Sequence, residues 1–129
     1  MTHATKHAFT GMTALAVLSL GHWARAAGVF ASPLATFILG VLPNVAAAVA
    51  IPSITAGALA DMRKDRQVPI DLRTFTMLNL GSVAGLVAWE FVQRGSLSLR
   101  FDPADLAATF GGAAVAQWVF SWQSSSAEG

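Results

Sequence analysis

The sequence predicts an all-α fold, a polytopic membrane four-helix bundle. Three observations lead there. Charged residues make up 12% of the chain and hydrophobic residues 54%, whereas a soluble domain carries about 25% charged residues. Four apolar runs approach or exceed the roughly 20 residues that a helix needs to cross a bilayer. Short polar breaks separate them, and the last break gathers Glu90, Asp102 and Asp105 with two arginines. A chain of 129 residues forms one transmembrane domain, 1–129, with no length left for a second.

Composition also excludes. A formal net charge of +1 gives no field for nucleic acid. The absence of cysteine removes disulfides, thiolate catalysis and Cys-ligated metals. His3, His7 and His22 lie near the N-terminus, two of them in a polar tail without an acidic partner nearby in sequence. No metal site and no cofactor follow from them.

The first helix is expected over 9–29, which carries Arg25 near its end, where it can snorkel to headgroups. The basic start, apolar core and "ARA" of Ala24 to Ala26 also fit a signal peptide. The second helix is expected over 33–60, with Ser32 as cap and Pro33 where no N–H is needed. Pro43 and Pro52 interrupt it and should kink it. Asn44, beside the first kink, should face a neighbouring helix, because a lone amide in lipid is costly. The loop "DMRKDRQVPIDLR", Asp61 to Arg73, is aqueous. Helices over 74–93 and 103–122 follow, with Trp118 and Trp122 suited to an interfacial belt and 123–129 a disordered tail. Lys6, Arg63, Lys64, Arg66 and Arg73 fall on one side, and Arg25, Arg94 and Arg100 on the other. That bias places both termini in the cytoplasm of a bacterial inner membrane.

The seam between the last two helices reads "WEFVQRGSLSLRFDPADLAATFGG". Glu90 and Gln93 share a helix face. Asp102, Pro103 and Asp105 spell a helix start, with Asp102 as cap and Asp105 at the positive end of the dipole. Gly81 and Gly85 on the third helix, and Ala104, Ala108 and Gly112 on the fourth, repeat at four residues, so the pair should form a tight antiparallel hairpin. In that hairpin Glu90 and Asp105 lie at one depth, with Gln93, Arg94 and Arg100 in reach. Such a cluster is either an interfacial ion-pair network or a site.

The pattern carried by Glu90, Gln93, Arg100, Asp102, Asp105 and Gly112 resembles the signature of the VanZ-like family of small bacterial membrane proteins. Thr109 stands where that family commonly shows Asn. The resemblance covers about the last forty residues, and "LPN" replaces the family's earlier aspartate–lysine and histidine features. It implies a fold and a polar pocket, in a divergent relative, and carries no activity with it.

Three functions compete. The first is a polar intramembrane cluster of Glu90, Gln93, Arg100, Asp102, Asp105 and Thr109 that binds an envelope lipid or glycolipid headgroup. The alternative is an accessory subunit that pads a larger membrane complex, associating with other subunits or with itself. The third is a membrane enzyme using Glu90 and Asp105 as acid and base; no nucleophile–base pair, metal cluster or phosphate loop accompanies them. Membrane lipids are the expected partners throughout.

Overall fold

The structure, a computed structural model, describes residues 2–29, 32–63, 68–94 and 102–125, and for His3, Gln93 and Arg94 it describes the backbone alone. All regular structure among them is helical: α1 His3–Ala26, α2 Pro33–Met62, α3 Leu72–Arg94 and α4 Pro103–Ser125. Two stretches, Pro33–Met62 and Leu72–Val92, are long and apolar enough to cross a membrane.

Local chemistry sets the helix starts. Thr2 accepts from the Thr5 N–H at 3.2 Å, so α1 begins at His3, six residues before the apolar run. Ser32 caps α2 by accepting from the Ala35 N–H at 3.2 Å, and Pro33 follows as expected. Asp71 caps α3, taking the Thr74 N–H at 2.8 Å. Asp102 caps α4, taking the Ala104 N–H at 2.9 Å. Just past the end of α1, Gly28 has φ 62°, a left-handed turn that suits glycine and stops the helix three residues before position 29.

Helix α2 is the hub and touches all three others. Its buried side is small: Ala46, Ala48, Ala50, Ala56, Gly57 and Ala60. A Cβ on Gly57 would meet the Ala8 nitrogen at 3.1 Å and the Ala4 oxygen at 3.3 Å, so α1 lies directly on it. Pro43 and Pro52 sit inside an unbroken α2, and Pro52 is itself packed into the interior. The main core joins Ala56 and Ala60 to Ile70, Phe75, Ala116 and Phe120.

Three expectations change. The N-terminal tail is helical, and His7 is buried with its ring 5.3 Å from Phe120 and 6.3 Å from Phe75. Counted by hydropathy it belonged to water, but its face of α1 turns to the core. The supposed tail from position 123 is helical to Ser125, where Gln123 donates to the Thr10 hydroxyl at 2.8 Å; residues 126–129 lie outside the described residues. The small-residue packing is also placed differently. Gly81 and Gly85 have nothing within 4 Å of an added Cβ, whereas Gly112 packs on α2, where an added Cβ would stand 2.6 Å from the Val45 oxygen and 2.8 Å from the Ala48 Cβ. Ala104 and Ala108 are half-buried. Helices α3 and α4 do touch, but side-chain amides join them. Asn79 donates to the Ala113 carbonyl at 2.9 Å and to Gln117 at 3.3 Å, and Gln117 donates to the Thr76 hydroxyl at 3.1 Å.

The surface is inverted relative to a soluble bundle. Phe9, Leu20, Trp23, Leu34, Leu80 and Trp118 are all more than 60% exposed, while His7, Ser53, Asn79, Glu90 and Thr109 are buried.

Candidate functional site

The end of the bundle where α1 and α3 finish and α2 and α4 start collects the acids of the seam. Asp102 is held by its capping bond, and the Asp105 N–H donates to the Asp102 carbonyl at 3.0 Å, so the first turn of α4 fixes both carboxyl groups. Glu90 approaches from the last turns of α3. It is only 5% exposed, and among the described residues its Oε2 has no hydrogen-bond partner. Asp105, and behind it Asp102, act on the Glu90 carboxyl through space. The three acids therefore gather at one end of the bundle.

Their neighbours differ from those the sequence names. Arg100 lies outside the described residues, and for Gln93 only the helical backbone is described. Instead, the Asn44 side chain lies in hydrogen-bonding reach of the Asp105 carboxyl, and Arg25 acts on it from α1. Asn44 thus faces a neighbouring helix, and the residue it meets is an acid. Thr109 is 1% exposed and donates its hydroxyl to the Asp105 backbone carbonyl at 3.0 Å, a bond within its own helix that leaves no donor for a ligand.

Beside the acids is an open cavity of about 790 Å³. Arg25 enters it from α1, Thr36, Phe37 and Val41 from α2, and Asp102 and Asp105 from α4. Arg25 influences Asp105 without an ion pair to it among the described contacts. The cavity thus offers a guanidinium and two carboxyl groups against an apolar wall, while the Thr36 hydroxyl donates to the Ser32 carbonyl at 3.1 Å. Such a mixture can orient a polar group at the boundary of an apolar phase. A second cavity, about 500 Å³ between α1, α2 and α4, is walled by Phe9, Val17, Leu42, Val49 and Trp122 and is mostly apolar. Among the described residues no three His, Asp or Glu converge as a metal site.

The Thr76–Asn79–Gln117 network is the polar feature that sequence reading passes over. Its signal is present: amides flanked by apolar residues inside long helices require partners there. Comparison with protein-family models, with characterised proteins and with solved structures finds no match for this chain in any of the three.

Proposed function

We propose that the chain is a four-span protein of a bacterial inner membrane, a divergent relative of the VanZ-like proteins, whose outer-end cavity holds an envelope lipid or glycolipid headgroup. The cavity lined by Arg25, Thr36, Asp102 and Asp105 carries this reading. The exposed apolar shell supports it, since it suits acyl chains as its surroundings. A headgroup would lie among the ionic side chains, its hydroxyls donating to Asp102 and Asp105 and its phosphate accepting from Arg25. Phe37 and Val41 would meet the glycerol or first methylenes.

Purification from native membranes in mild detergent, with retained lipids identified by mass spectrometry, tests this. One lipid class should remain in near-stoichiometric amount and be lost from Asp105→Asn and Arg25→Gln proteins that keep their helical content. Identical lipid profiles in all three proteins would overturn the reading.

One observation favours the accessory-subunit reading. A groove of about 500 Å³ between α2 and α3, lined by Ile51, Thr55, Met77, Gly81, Gly85 and Leu86, leaves both glycines open to a neighbour's helix. A stoichiometric protein partner that is released by Gly85→Leu would support that reading.

A further inference from the structure

Resting on the headgroup reading above, we infer that the cavity selects an amine-bearing zwitterionic headgroup, of the phosphoethanolamine type, over a purely anionic one. Among the described residues, the charges on the cavity wall are one guanidinium, Arg25, and two carboxyl groups, Asp102 and Asp105. Both also act through space on the buried Glu90 carboxyl, which does not line the cavity. A ligand carrying only negative charge meets like charge here, which discriminates strongly between partners. A zwitterion meets complementary charge at both ends. Its phosphate takes the Arg25 fork, which no carboxylate among the described contacts occupies and which fits phosphate bidentately. Its ammonium takes the acids on α4.

The acids favour a primary amine in particular. A primary ammonium brings three N–H donors, whereas a quaternary one brings none. Asp102 spends one oxygen on its cap and keeps acceptor capacity.

The test uses the full chain, purified, stripped of lipid, and titrated in detergent with dioleoyl-phosphatidylethanolamine, -phosphatidylglycerol or -phosphatidylcholine, with binding read by native mass spectrometry. Phosphatidylethanolamine should bind about tenfold tighter than either other lipid, the scale of one or two charge-assisted hydrogen bonds. Asp105→Asn and Asp102→Asn, each checked for helical content, should erase the preference over phosphatidylglycerol. Arg25→Gln should weaken every phospholipid and keep their order. Soluble phosphoethanolamine binding as tightly as the lipid would support the amine chemistry and move its source to a free solute. Phosphatidylglycerol binding as well as phosphatidylethanolamine, or both acid variants keeping the preference, would overturn the amine inference while leaving lipid binding intact. No saturable binding of any lipid would overturn both.

Discussion

Gly112 on α4 meets Val45 on α2 backbone to backbone: a Cβ on the glycine would stand 2.6 Å from the Val45 carbonyl oxygen and 2.9 Å from its Cα. Neither neighbour is a side chain that can rotate away. Gly112→Leu should therefore push the helices apart and cost about 1–3 kcal/mol or more. Gly81→Ala and Gly85→Ala face open space and should raise stability by about 0.5–1 kcal/mol through helix propensity. Thermal unfolding in detergent checks the contrast. Equal loss from all three would refute this placement of the contacts.

The amides between α3 and α4 should behave as one unit. Asn79 makes two bonds to α4, yet its Oδ1 is buried without a partner among the described residues. Hydrogen bonds between membrane helices average about 0.6 kcal/mol, so Asn79→Leu alone should cost about 1 kcal/mol. Combined with Gln117→Leu the loss should be less than the sum of the two, because neither substitution then strands a polar partner. Strict additivity in this cycle would show that the network carries no coupling.

Acid should loosen the start of α3. The Thr74 side chain and N–H hold the Asp71 carboxyl below its ordinary value of 3.8, helped by Arg63 and Arg73. A group lowered on folding contributes stability that is full above its unfolded value and fades as pH falls through the folded one. The melting temperature should thus decline below about pH 4, and Asp71→Asn should remove part of that decline while lowering stability at neutral pH. Wild type and variant with parallel profiles would contradict this role.

Local signals in the sequence were legible, and those that depend on a partner were not. Ser32–Pro33 and Asp102–Pro103 mark helix starts through bonds that reach two or three residues, so spacing alone reveals them. The common depth of Glu90 and Asp105 follows from helix rise and a short connection. Four-residue spacing of glycine shows that a helix has a side open to close approach, but not which neighbour uses it. Gly112 faces α2 because α2 is the central helix, and pairing along the chain points to α3 instead. Likewise the cost of a lone amide demands a partner for Asn44 without identifying Asp105. His7 was misplaced because hydropathy counts residues one at a time, while its stack with Phe75 and Phe120 brings together three helices.

Orientation can be read directly because the chain has no cysteine of its own. Met62, 82% exposed at one end of α2, and Leu34, 69% exposed near the other, are suitable single-Cys positions. A membrane-impermeant maleimide on intact cells should label Leu34→Cys and leave Met62→Cys untouched until the membrane is opened. Labelling of both from outside would exclude the proposed topology.

The bond from Gln123 to Thr10 spans 113 positions of the chain, and the rings of His7 and Phe120 meet at the same end. Each contact joins α1 to α4, with two whole helices made between them. During synthesis the first helix can settle early on α2 through Gly57, but its other inward side stays uncovered until the fourth helix emerges. Closure of that side therefore waits for α4, and a chain interrupted before Phe120 would leave the inward face of α1 around His7 and Thr10 without the cover that α4 gives it.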